Sequence, residues 1–193
     1  MRCLLVSAHP QPNSLTHQIV SFCDQHLQTA GHVVVKDDLY DQCFDPVMSA
    51  NEHQLYYNLE SSPDELNSYV RRLQSAEAIV VVFPMWWFGP PAILKGWIDR
   101  VWAPGIAFEA TTTGLVPKLS QLQKMILIST FNFDQSVNES LHHPFQSIVR
   151  EVLLKKSAPE AQLLELMLYE CSTLTEDRFQ TFTSSIQREL DAL

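Results

Sequence analysis

Glycine is scarce: there are five in 193 residues, and none belongs to a G-x-G-x-x-G pattern. That absence counts against a standard Rossmann dinucleotide site, where such glycines let the backbone approach a pyrophosphate. Cysteine is scarce too. Cys3, Cys23, Cys43 and Cys171 make no C-x-x-C pair and no zinc-type spacing, so no metal site is expected. Scattered thiols of this kind suit a reducing compartment. Basic residues are outnumbered, 13 Lys and Arg against 22 Asp and Glu, for a net charge of -9. Nucleic acid and anionic membrane surfaces need basic patches, so neither is expected as the main partner. An anionic ligand must then be held by local donors rather than by the global field. No apolar run is long enough to span a bilayer. The run Cys3-Leu-Leu-Val-Ser-Ala8 behind Met1-Arg2 is too short for the core of a signal peptide. The expected location is the cytoplasm.

What is present is a hydrophobic fraction of 46% and a length that suits one α/β domain over residues 1–193. Apolar runs alternate with helix-period segments, the pattern of a parallel sheet covered by helices. Strands are expected at Arg2–Ala8, His32–Lys36, Ala78–Phe83, Met125–Thr130 and Leu163–Tyr169. Helices are expected at Ser14–Ala30, Asp64–Ser75, Pro91–Val101, Pro144–Lys155 and Thr175–Leu190. Asn13 or Ser14 can cap the first helix, and Gly31 stops it. The fold class is an open doubly wound sheet of five parallel strands in the order 2-1-3-4-5, with helices on both faces. Such sheets bind ligands beyond the carboxyl ends of their strands, which directs attention to the loops 9–16, 84–90 and 131–143.

The first loop, His9-Pro-Gln-Pro-Asn-Ser-Leu-Thr16, runs into a helix N-terminus, where free N–H groups and the dipole favour an anion. His9, Ser14 and Thr16 add side-chain donors. Two readings stand side by side: Asn13 and Ser14 cap the helix, or the loop holds a phosphate as well. The second loop, Phe83-Pro-Met-Trp-Trp-Phe-Gly-Pro-Pro91, carries three large aromatics on a segment expected at the surface. Its prolines stiffen it, and Gly89 permits close backbone approach. It suits a flat heteroaromatic ligand; packing under the next helix or in a dimer interface is the other reading. His17, His26, His32 and His53 show no ligand spacing and read as surface or packing residues.

Ala-His-Pro with Ser14 and Thr16, then Asp38-Leu-Tyr40, then the stretch from Phe83 through Pro-Met-Trp-Trp-Phe-Gly-Pro-Pro-Ala-Ile-Leu-Lys-Gly-Trp-Ile-Asp-Arg-Val to Trp102 resemble the NAD(P)H:quinone oxidoreductases. That family has a flavodoxin-like fold and includes DT-diaphorase-like enzymes, bacterial modulators of drug activity and ancillary proteins of potassium-efflux systems. The resemblance covers roughly residues 1–145. It implies a bound flavin, FAD or FMN, with His9, Ser14, Leu15 and Thr16 at its phosphate or pyrophosphate. Pro84, Met85, Trp86, Trp87 and Phe88 then line the isoalloxazine ring.

The third loop, Ser129-Thr-Phe-Asn-Phe-Asp-Gln-Ser-Val-Asn-Glu-Ser-Leu-His-His-Pro144, stands where the family usually shows Thr-Thr-Gly-Gly, then a tyrosine and a histidine. Ser129 and Thr130 match the threonines, Phe131 and Asn132 replace the glycines, Val137 replaces the tyrosine, and His143 matches the catalytic histidine. By resemblance, Ser129, Thr130, Phe131 and Asn132 meet the flavin's N1/O2 edge, and Trp87, Phe108, Val137 and His143 border the substrate pocket. A donor aimed at N1/O2 stabilises the charge that hydride transfer to N5 leaves there. His143 can supply that hydrogen bond or act as a general acid toward a reduced quinone. The resemblance further implies NAD(P)H as hydride donor, a ping-pong reduction of quinone-like acceptors, and a homodimer with the site at its interface. Reduction of azo or nitro compounds on the same flavin, and a redox-sensing subunit of a membrane transporter, are the alternatives it leaves.

Overall fold

The computed structural model describes residues 1–56 and 63–193. Its strands are β1 (Arg2–Ser7), β2 (Val33–Asp38), β3 (Ala78–Pro84), β4 (Phe108–Thr111), β5 (Gly114–Pro117), β6 (Lys124–Thr130) and β7 (Gln162–Leu168). Its α-helices are α1 (Leu15–Thr29), α2 (Ala50–Tyr56), α3 (Asn67–Ser75), α4 (Ala92–Val101), α5 (Gln135–Ser140), α6 (Pro144–Ile148), α7 (Lys155–Ser157) and α8 (Glu176–Leu190). Five strands form a parallel sheet in the order β2-β1-β3-β6-β7, and β4 and β5 form a separate antiparallel hairpin. The expected five-strand parallel sheet is present, but the hairpin interrupts the chain between its third and fourth members. The expected 2-1-3-4-5 therefore reads 2-1-3-6-7 when every strand is numbered.

Every residue of β3 and of β6 is buried, because a parallel sheet with helices on both sides leaves neither face to water. Successive side chains alternate between two cores. Leu4, Val6, Ile79, Val81, Phe83 and Leu127 pack with residues of α3 and α4. Leu5, Val80, Val82, Ile126 and Ile128 pack with Ile19, Cys23 and Leu27 of α1 and with Phe182, Ile186 and Leu190 of α8. Ser14 caps α1 and Thr175 caps α8 by accepting backbone N–H bonds. Gly31, at φ +83, turns the chain out of α1.

Four segments depart from expectation. Residues 131–143 are not all loop: Asp134 accepts from Ser136 N–H and starts α5. The hairpin was unexpected because its strands are four residues each and mostly exposed, so burial imposed no alternation. The helix α2 begins in a reciprocal box, with Glu52 N–H donating to Ser49 Oγ and Ser49 N–H to Glu52 Oε2. The chain from Pro144 to Ser157 stays helical but widens to π-helical turns at Val149–Leu154.

The segment after β2 is strapped to α4. Buried Arg100 donates to Glu52, Glu65 and the Asp45 carbonyl. Gly96 lies so close to Pro46 that a Cβ there would sit 2.4 Å from it. Among the described residues, no helix is long and apolar enough to cross a membrane.

Candidate functional site

Loops after β1, β3, β6 and β7 gather at the carboxyl end of the sheet. The backbone there is unusual. Among the described residues, six non-glycine residues adopt positive φ, and all follow carboxyl ends of strands: Cys43, Trp87, Phe88, His142, His143 and Glu170. Such a conformation costs a bulky residue about 1–3 kcal/mol.

The aromatic loop is a tight turn. Trp86 N–H donates to Gly89 O at 2.9 Å and Gly89 N–H to Trp86 O at 3.1 Å. With Trp87 at φ 49 and Phe88 at φ 60, this is a type I′ arrangement, which normally selects Asn and Gly. The freedom expected of Gly89 is thus demanded of two aromatics instead. Among the described residues, the N–H groups of Trp87 and Phe88 meet no acceptor. Met85, Trp86, Trp87, Phe88 and Phe133 line an open hollow of about 550 Å³. Phe88 leans on Phe133 with ring centroids 4.6 Å apart, and Phe133 on Phe131 at 5.3 Å. Trp87 itself is 96% exposed.

The first loop adjoins this wall: His9 and Trp86 have ring centroids 6.3 Å apart. His9 Nδ1 accepts from Gln11 N–H at 3.0 Å. Burial, and the charge of His17 nearby, hold His9 below the ordinary histidine range. Ser14 and Leu15 are half-buried and Thr16 is buried. Ser14 Oγ accepts from His17 N–H and lies 3.0 Å from His17 Nδ1, while His17 Nε2 meets Asp38 Oδ2 at 2.9 Å. His17 is therefore no idle surface residue, but ties the capping serine to the end of β2. Its three-residue spacing from Ser14 was the signal for this contact.

The third segment is divided. Pro84 of β3 pairs with Thr130 of β6 and is buried, as is Met85, whose N–H donates to Thr130 O at 2.8 Å. Ser129 is buried, and its hydroxyl has no partner among the described residues. Phe131, at one of the family's glycine positions, pairs its backbone within the chain: its N–H donates to Leu168 O at 2.8 Å, and its carbonyl accepts from Cys171 N–H at 2.9 Å. The physical reason is its side chain, which is buried against Phe133 and stacked on Tyr169 at 4.6 Å. Asn132 is exposed. Val137, on α5, is 36% exposed. Phe108 opens β4 and packs against the core on the α3–α4 side, and it is not among the residues that line the hollow.

His143 is half-buried and also lies off that lining. Its Nδ1 meets Asn138 Nδ2 at 2.8 Å, and Asn138 Nδ2 reaches Tyr169 Oη at 3.0 Å. Burial pushes the Tyr169 hydroxyl up. No spacing rule links residues 138 and 169; the pairing of β6 with β7 brings them together.

The donor set fits a flavin. A flat ring needs apolar walls and a few amides at one edge, which the turn at Trp87 and Phe88 supplies. A phosphate needs a helix N-terminus with donors, which α1 supplies beside Ser14.

A family described by the flavodoxin-like fold matches residues 1–157. An uncharacterised NAD(P)H oxidoreductase of Escherichia coli is 39% identical over 109 residues, 55% of either chain. One of Haemophilus influenzae is 34% identical over 151 residues, 74% of this chain and 73% of that protein. The rat NAD(P)H dehydrogenase [quinone] 1 is 33% identical over 128 residues, 58% of this chain and 46% of its own. The chain thus spans about half the length of the E. coli and rat proteins. A crystal structure from Streptococcus mutans superposes with a TM-score of 0.87 over 100% of both chains, at 26% identity. An FMN-dependent NADH-azoreductase of Bacillus anthracis, solved with FMN, covers 100% of this chain and 99% of its own; its TM-score is 0.76 at 16% identity, a likeness of fold alone. With residues 1–157 matched and the doubly wound sheet in place, the chain belongs to this flavodoxin-like family.

Proposed function

We propose that residues 1–193 form one flavin-binding domain of an NAD(P)H-dependent reductase acting on quinones or related flat acceptors. The observation that carries this reading is the strained turn at Trp87 and Phe88. It presents unpaired amides beside an aromatic hollow, with His9 of the first loop against Trp86. The names of the E. coli and rat relatives agree with it. A bound flavin supplies hydride acceptance from the nicotinamide and delivery to the acceptor. The protein's part is to hold and shape. Ser14 and the first-turn amides of α1 bind the phosphate, and His9 borders it. Trp86, Trp87 and Phe88 wall the ring, and the Trp87 and Phe88 amides donate to its polar edge. His143 gives a hydrogen bond where charge develops. FAD and FMN both fit these donors. The exposed Trp87, with Leu141, Ile148 and Val152 also exposed, supports a homodimer that covers the hollow with a second chain.

The test is a visible absorption spectrum of the purified protein, mass analysis of what heat releases, and NAD(P)H oxidation with a soluble naphthoquinone. A flavin spectrum with quinone-dependent oxidation is expected. A colourless protein that binds neither added FMN nor added FAD overturns the reading.

A further inference from the structure

Beneath His143 lies a buried polar chain whose hydrogen-bond direction is fixed from one end. Tyr169 Oη and Gln146 Nε2 each lie 3.2 Å from Met167 Sδ, and Asn138 Nδ2 lies 3.6 Å from it. A thioether sulfur accepts and never donates. The Tyr169 hydroxyl proton is therefore spent on Met167, and its oxygen is left to accept from Asn138 Nδ2 at 3.0 Å. The amide's other hydrogen meets His143 Nδ1 at 2.8 Å. An amide nitrogen only donates, so that ring nitrogen has to be bare.

Turning the amide over would point Asn138 Oδ1 at the ring and the tyrosine. It would also set that oxygen against Met167 Sδ, which the amide nitrogen now faces at 3.6 Å, acceptor against acceptor. Asn138 is 1% exposed. A buried oxygen has no water to relieve that contact, which keeps the amide nitrogen toward Met167, Tyr169 and His143.

We propose that Asn138 and Tyr169 are positioning residues that hold His143 as the neutral tautomer protonated at Nε2. A ring held this way is a fixed, uncharged donor. A proton at Nδ1 would face the hydrogens of Asn138, so the ring offers Nε2–H as its donor, and His143 is assigned to hydrogen bonding through that atom. The bearing of this on reduction rests on the proposed function; the place of the proton does not.

The test is long-range ¹H–¹⁵N correlation at pH 8 on histidine-labelled protein, with whatever flavin it carries. His143 is identified by the signal lost in His143→Gln. Expected is a protonated Nε2 and an unprotonated Nδ1. Asn138→Asp sets acceptor oxygens against the ring and should move the proton to Nδ1, while Tyr169→Phe should release the amide and give both tautomers. A protonated Nδ1 in the unaltered protein overturns the proposal, as does an unmoved Nε2 proton in a folded Asn138→Asp. If Nε2 carries the proton but His143→Gln reduces quinone at the unaltered rate, the tautomer stands and the role of His143 in reduction falls.

Discussion

The two ends of the parallel sheet are built on different terms. At the amino end, polar groups find partners. The Met1 ammonium meets His32 Nδ1 at 3.0 Å, Arg2 N–H donates to Glu77, and Lys124 Nζ reaches the Ala192 carbonyl. The chain leaves α1 toward that end through a glycine, Gly31, at positive φ. At the carboxyl end, bulky residues take the left-handed conformation, amides lack partners and a tryptophan stands in solvent. Both ends are made by the same chain under the same packing rules. Strain retained at only one of them points to what that end is for.

The largest effect should come from separating the two duties of Ser14. Asp is as good an N-cap as Ser, so Ser14→Asp keeps α1 capped while placing a carboxylate where a phosphate is proposed. Thermal stability should change by less than about 0.5 kcal/mol. Flavin affinity should fall by about 100-fold or more, since like charges set together cost several kcal/mol. Fluorescence titration with FMN and FAD reads the second quantity, and a melting curve the first. Unchanged affinity would return Ser14 to capping alone and leave the first loop no different in kind from the amino end.

How much of this was legible beforehand depends on whether a contact is local. The five sheet strands were readable because burial on both faces leaves apolar runs such as Ala78–Phe83. The cap at Ser14 is readable because it acts within three residues. The box of Ser49 and Glu52 is equally local, but no apolar period follows it over so short a helix to mark it. The turn at 86–89 is not legible, because propensity rules assign positive φ to glycine, whereas the chain imposes it on Trp87 and Phe88. Asn138 and Tyr169 left no trace in the sequence. Neither is near His143 by any helical or strand period that reaches both, and only the β6–β7 register unites them.

A second prediction concerns Asp37, which lies one residue short of the carboxyl end of β2. Its side chain is buried, with one oxygen on Arg72 Nε at 2.5 Å and the other unpaired among the described residues. The Trp97 indole N–H is close by but falls short of hydrogen-bond geometry. Burial outweighs the Arg72 charge and pushes the carboxyl up to about 6 from an ordinary 3.8. A group that binds its proton more tightly when folded stabilises the fold below its unfolded value and loses that contribution as pH rises through its folded one. Stability should therefore fall by about 2–3 kcal/mol between pH 4 and pH 7 on account of this residue. Urea unfolding across that range checks it. Asp37→Asn should flatten the slope; an equal slope in the variant would mean that Arg72 compensates the carboxylate more fully than the burial implies.

The smallest effect is the sharpest test of the comparison. If the left-handed conformation of Trp87 is strain kept for ligand binding, a residue that adopts it readily should relieve that strain. The side chain is 96% exposed, so its removal costs little packing within the chain. Trp87→Asn places in the type I′ turn a residue the turn prefers. It should raise stability by about 1 kcal/mol in a monomer, or about 2–4 °C in melting temperature, while flavin-dependent turnover drops with the lost wall. The same variant reports on the proposed second chain. A covering partner would make Trp87 a contact, and its loss would then lower the melting temperature by an amount that grows with protein concentration. A gain independent of concentration means that Trp87 is held strained and uncovered, waiting only for ligand. A loss that follows concentration means that the strain is offset by a neighbouring copy, and that the carboxyl end is finished only in the dimer.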